Sequence, residues 1–208
     1  MELAESRGFL GEYASARPVP GGGSAASLAG ALGCALLAKC AKVALRRKGE
    51  ESGAREISVE AEALVEEFLR LEQADITAYR AMVDASKAQR EAPEDPRRAS
   101  EVASATRQAI EVPLRVAEEA ARALGIAEML VGLEEERTAS DQITAVSLLL
   151  AALDGSVATA RINLPWVDAE DHAATAGALG AFGESRLVAE RTLGILERLL
   201  PPVHPMRQ

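Results

Sequence analysis

A chain of 208 residues is the size of one domain, and its 48% hydrophobic and 26% charged residues supply enough apolar surface for a core, which excludes an unstructured polymer. Acidic side chains number 32 against 23 basic ones, and a formal charge of -9 repels polyanions, so no nucleic-acid partner is expected. Aromatic residues make up only 3%, and the abundance of Ala, Leu, Glu and Arg beside few β-branched types is a helix-forming balance.

From the N-terminus, Leu3, Phe9, Leu10 and Tyr13 lie on a rough helical stripe that ends at the breaker run from Arg17 through Pro18, Val19, Pro20, Gly21, Gly22 and Gly23. Ser24 is placed as the N-cap of a second helix reaching about Leu45, built of Ala25, Ala26, Ala29, Gly30, Ala31, Gly33, Ala35 and Ala38. Side chains this small predict close approach by other helices, at the centre of a bundle or at a contact between two copies of the chain. Cys34 and Cys40 stand about 9 Å apart along this helix, beyond disulfide reach, and read as buried free thiols in a reducing compartment. Arg46 to Gly53 forms a charged break. A long amphipathic helix follows, with Ile57, Ala61, Leu64, Val65, Phe68, Leu71 and Ala78 in period to about Ala88.

Pro93 and Pro96 end it, and the next helix is expected from about Arg98 to Leu124, kinked or broken at Pro113 and closed by Gly125. Ser140 or Thr138 caps a helix carrying Val146, Leu149, Leu150, Leu153 and Val157 to about Ile162, and a last one is predicted from about Ala173 to Leu200. No segment alternates as a strand does, so the fold class is all-α: one domain over residues 1–208, arranged as an up-and-down multi-helix bundle. Glu2 and Glu5 stand where a secretory leader carries basic residues, and the apolar stretch from Ala25 meets Lys39 before roughly 20 residues are complete. The expectation is a cytoplasmic chain with no membrane partner.

Gly21, Gly23 and Ala26 fit the spacing of a dinucleotide loop, but Pro18 and Pro20 exclude the strand that loop requires. What remains is a glycine turn feeding a helix N-terminus, either a tight turn between touching helices or a cradle for an anionic or polar ring edge. Two histidines, His172 and His204, are too few for a His-based metal site or triad, and no metal is expected. Asp75 lies in an apolar helical run, where a carboxylate needs a partner and is either a structural or a site residue. Asp141 opens a helix, where the dipole favours acids in any case. Arg161 and Asn163 near that helix's end can bind a ligand or merely suit a C-terminus, while Arg46, Arg47 and Lys48 form a solvated turn or meet an anionic tail.

Taken together, the run from Pro18 to Ala26, Asp75 with Ala78 and Tyr79, Val112-Pro113-Leu114, Ser140-Asp141 and the run from Arg161 to Leu164 resemble the ordered landmarks of the cyclodeaminase/methenyltetrahydrofolate cyclohydrolase family. The resemblance implies a helical-bundle homodimer that binds a folate near the subunit contact and either hydrolyses 5,10-methenyltetrahydrofolate to 10-formyltetrahydrofolate or releases ammonia from 5-formiminotetrahydrofolate. Hydrolysis is the preferred expectation for a free-standing chain, and no cofactor beyond the tetrahydrofolate substrate is required. Such chemistry needs a placed proton acceptor beside the electrophilic carbon, so Asp75 or Asp141 is assigned the catalytic base or cation-pairing role. Pro20, Gly21, Gly22, Gly23 and Ser24 are assigned the ligand cradle, Asn163 a hydrogen bond, and Arg47 and Lys48 the anionic tail. Lys39-Cys40, Lys42, Ala44, the stretch from Ala88 to Glu91, Glu135 and Thr159 depart from the family pattern. They keep open a drifted dimer that binds a small ligand without turnover, or a purely structural interaction module.

Overall fold

The computed structural model describes residues 3–133 and 136–200, and among them every regular element is helical. The helices are α1 (Leu3–Tyr13), α2 (Gly22–Lys48), α3 (Ala54–Glu91), α4 (Pro96–Val131), α5 (Ala139–Asn163), α6 (Ala169–Ala181) and α7 (Gly183–Leu199), joined in places by single 3-10 turns. α2, α3 and α4 each pack on the next helix and α5 returns to α2, which closes an up-and-down four-helix ring; α7 lies across α4 and α5.

The small residues of α2 determine how tightly this ring closes. A Cβ on Gly30 would stand 2.5 Å from the ring of Phe68 in α3, and one on Gly33 would stand 2.9 Å from Leu149 in α5. Both glycines are therefore sockets for large side chains of the flanking helices, and Phe68 and Leu149 are fully buried there. Cys34 and Cys40 are buried and unlinked, their thiols pushed up by burial to about 12 and about 11. α2 and the stretch 139–166 are long and apolar enough to cross a bilayer by length and composition, but 50% and 39% of their most apolar windows are covered within the bundle.

Several boundaries differ from the sequence expectation. Gly21, not Ser24, is the N-cap of α2; Ser24 lies in the first turn, where its Oγ accepts from the Gly21 N–H and donates to the Gly21 carbonyl, both at 3.0 Å. α2 runs on through Arg46, Arg47 and Lys48, three cations in a last turn where the dipole welcomes them, and Lys48 Nζ donates to the Leu133 carbonyl. α4 is continuous through Pro113 and Gly125. Pro113 has no N–H for the carbonyl of Ala109, and Asn163 at the end of α5 supplies the missing donor, its Nδ2 lying 3.1 Å from that oxygen. The predicted last helix is two helices, parted at Phe182.

Candidate active site

The glycine turn meets α3 at one place. A Cβ on Gly23 would lie 2.7 Å from Asp75 Cγ and 2.8 Å from Oδ2, so this glycine exists where a carboxylate lies against the first turn of α2. The carboxylate accepts the Ser24 backbone N–H, and the positive end of α2 thus already holds an internal anion. Burial nevertheless dominates: together with the neighbouring Glu72 carboxylate it outweighs the hydrogen bond and pushes the Asp75 carboxyl up to about 6.

Glu72 stands three residues before Asp75, on the same face of α3, and is itself buried. Tyr13 at the end of α1 donates to Glu72 Oε1 at 3.1 Å, Gln73 donates to Oε2, and the Tyr13 hydroxyl also meets that of Ser24. Burial, first, and then the nearby carboxylates push Tyr13 above the usual phenol value. No cation pairs with Glu72 or Asp75 among the described residues.

Tyr79, one turn along α3 from Asp75, is shared by two adjoining hollows. A hollow of about 260 Å³ lies against Pro18 and Val19 of the breaker run. A cleft of about 630 Å³ opens toward Met82, Ser86, Arg90, Thr106, Asn163 and Trp166. Its size suits a small organic ligand. α5 reaches the same region from the other side, because Thr159 Oγ1 would lie 3.8 Å from a Cβ on Gly22, and Asn163 follows one turn later.

The assigned residues therefore divide. Asp75, Pro20, Gly21, Gly22, Gly23, Ser24 and Asn163 gather at one end of the bundle, with Pro20 and Gly21 half-buried in the turn. The structure gives Gly23 and Ser24 to Asp75 and the Asn163 amide nitrogen to Ala109, so these groups hold the site together from within. Asp141 lies elsewhere. Its Oδ2 is 2.8 Å from Lys39 Nζ, and Lys39 follows Gly23 on α2 by about 24 Å of helix. Arg47 and Lys48 are further still, at the far end of α2. One protomer does not unite the two aspartates.

Tyr13, Glu72, Arg90 and Trp166 escaped the sequence reading. For Glu72 a signal existed, since a Glu three residues ahead of Asp75 falls on the face occupied by Phe68 and Leu71. Tyr13 and Trp166 reach the site only through tertiary packing. His172 is exposed on α6, and among the described residues no cluster of three His, Cys, Asp or Glu is placed to hold a metal. His204 and Glu135 lie outside the described residues.

Fold and site together define a helical-bundle protein with a cleft for a small organic molecule and a near-neutral carboxyl group in the adjoining helix junction. The sequence profile of the family described as formiminotransferase-cyclodeaminase matches residues 5–179, and the chain belongs to that family. Among solved structures it is similar to formiminotetrahydrofolate cyclodeaminase from Thermotoga maritima, with a TM-score of 0.72 and 24% identity over 96% of each chain, a likeness of fold. No curated protein matches it.

Proposed function

We propose that the protein is a folate enzyme acting on the one-carbon unit carried between N5 and N10 of tetrahydrofolate, with Asp75 as its acid–base group. The observation that carries this reading is the Asp75 carboxyl itself, half-buried against the start of α2 and poised at about 6, where it both takes and gives protons near neutral pH. Family membership and the name of the Thermotoga relative favour cyclodeamination of 5-formiminotetrahydrofolate as the leading reaction.

In that reaction N10 attacks the formimino carbon, the Asp75 carboxylate takes the N10 proton, and the same proton passes to the imino nitrogen. The product is a ring that carries an amino group. A second proton, held by the carboxylic acid and replenished from water, then leaves with the amine as ammonia, and the cationic methenyl bridge remains. Hydrolysis of 5,10-methenyltetrahydrofolate uses the same group in a second reading: Asp75 accepts one proton of the attacking water, the carbon–N5 bond of the hydroxyl adduct breaks as N5 receives that proton, and the remaining hydroxyl proton passes by way of the carboxylate to water as the formyl carbonyl forms. The same near-neutral carboxyl supports both reactions. No cofactor beyond the folate enters either scheme, and neither nucleic acid nor membrane has a part in it.

We further take the working unit to be a cytoplasmic homodimer. α2 leaves Ala25, Leu32 and Ala35 exposed along one face, with Leu32 at 56%, a surface that a second copy of the helix can cover.

Ammonia release from 5-formiminotetrahydrofolate and loss of methenyl absorbance, each measured for the wild type and Asp75→Asn, test the assignment. The expected result is turnover in at least one assay that falls by about a hundredfold or more in the variant. Saturable folate binding with no turnover in either assay would instead select a binder without catalysis.

A further inference from the structure

The cleft beside Tyr79 has an unusual wall. Trp166, the single tryptophan of the chain, is 73% exposed, and Ile162 one turn earlier is equally so. Both line the cleft with Met82 and Val102, so the exposed apolar surface is contiguous. Trp166 is also firmly presented: it ends the 3-10 turn Leu164–Trp166, in which Leu164 is buried, Pro165 restricts the backbone, and the preceding Asn163 is tied to Ala109. A large aromatic side chain with only two rotatable bonds on a fixed backbone loses little freedom when a flat ring stacks on it.

The opposite requirement, a cation, stands at the other end of the same cleft. Arg90 lines it and makes no ion pair with any described residue, whereas Arg70, Arg97, Arg107, Arg115 and Arg122 are all paired. On α3, Asp75, Tyr79, Met82, Ser86 and Arg90 follow one another at successive turns, so that about 22 Å of helix separates Asp75 from Arg90. The substrate has a matching order: reactive bridge, aminobenzoyl ring, glutamate.

We propose that Trp166 stacks on the aminobenzoyl ring of the folate while Arg90 pairs with its glutamate carboxylates, the pair together orienting the bridge carbon toward Asp75. This rests on the folate reading given above. Planar guanidinium recognition of a carboxylate and ring stacking are the interactions these two side chains make best.

The full-length chain labelled at the tryptophan ring nitrogen yields one indole N–H signal, because there is one Trp. That signal is expected to shift saturably with 5-formyltetrahydrofolate and with p-aminobenzoyl-glutamate, and to stay in place with 6-hydroxymethylpterin. Calorimetry is expected to show Trp166→Ala weakening both active probes by roughly three- to tenfold, and Arg90→Gln weakening them by about tenfold, at unchanged melting temperature. If 5-formyltetrahydrofolate binds while the indole signal stays still, or binds Trp166→Ala with wild-type affinity, the proposal fails and the folate reading stands. If neither active probe binds at all, the folate reading fails and takes the proposal with it.

Discussion

The two ends of α2 hold one aspartate each, and they treat it oppositely. At the N-terminal end, Asp75 lies over Gly23, sheltered from water beside Glu72, with no cation at hand and its proton affinity raised into the neutral range. Toward the other end, Asp141 is partly exposed and paired with Lys39, whose own proton is held more tightly for that contact. The first arrangement strains an acid toward exchange; the second spends it on an ordinary surface ion pair. An aspartate in a helix is uninformative until the partner that burial allows it is known.

Neutralising each acid in turn separates the two aspartates most strongly. Asp75→Asn is expected to lower turnover by two to four orders of magnitude, roughly the span of general acid–base catalysis, and Asp141→Asn to change it less than about threefold. Steady-state rates of the two variants side by side check this. Gly23→Ala comes next: its methyl group displaces only the end of the Asp75 side chain, so activity falls by about tenfold or more while melting barely moves. Gly30→Ala presses instead on the Phe68 ring in the core and costs about 1–3 kcal/mol of stability, read by urea denaturation, with the site's chemistry intact.

Stability also separates the two aspartates. A folded-state value near 6 lies above the ordinary carboxylate range, so the native state holds the Asp75 proton more tightly than the unfolded chain does. The resulting penalty is absent below about pH 4 and grows as pH rises through the folded value, reaching on the order of 2 kcal/mol at pH 8. Asp75→Asn, whose amide oxygen still accepts from Ser24, is therefore expected to melt higher than the wild type at pH 8 and no higher at pH 4. Smaller again is the effect of Lys39→Ala, which removes an exposed ion pair and is expected to leave the melting temperature nearly unchanged.

A coupled pair tests the junction that holds the cleft. Asn163→Ala strands the Ala109 carbonyl at a cost of about 1–3 kcal/mol, and adding Pro113→Ala, which restores a backbone donor, is expected to recover most of it. Denaturation midpoints of the single and double variants measure that coupling.

Much of this architecture is legible in the amino-acid sequence. The periodicity of Ile57 to Ala78 and the small residues of α2 announced a bundle, and Gly30 and Gly33 do receive Phe68 and Leu149. The continuity of α4 was not legible, because the donor that takes the place of Pro113's missing N–H comes from Asn163, 54 residues beyond the Ala109 carbonyl it serves. The split of the last helix at Phe182 is marked only by the isolated glycines Gly180 and Gly183, which a helix interior also tolerates. In the site, Asp75 and the glycine turn stood out through burial logic and composition. Their direct contact, which turns the supposed ligand cradle into the seat of the carboxylate, depends on how α2 and α3 pack and is written in neither segment alone.

The decisive measurement of Asp75's role is the pH dependence of kcat/KM for the wild type and Asp75→Asn on the same folate substrate. The wild-type rate is expected to fall below about pH 6, and the residual rate of the variant to lack this limb. A wild-type profile flat between pH 5 and 7, or the same limb persisting in the variant, would contradict that role.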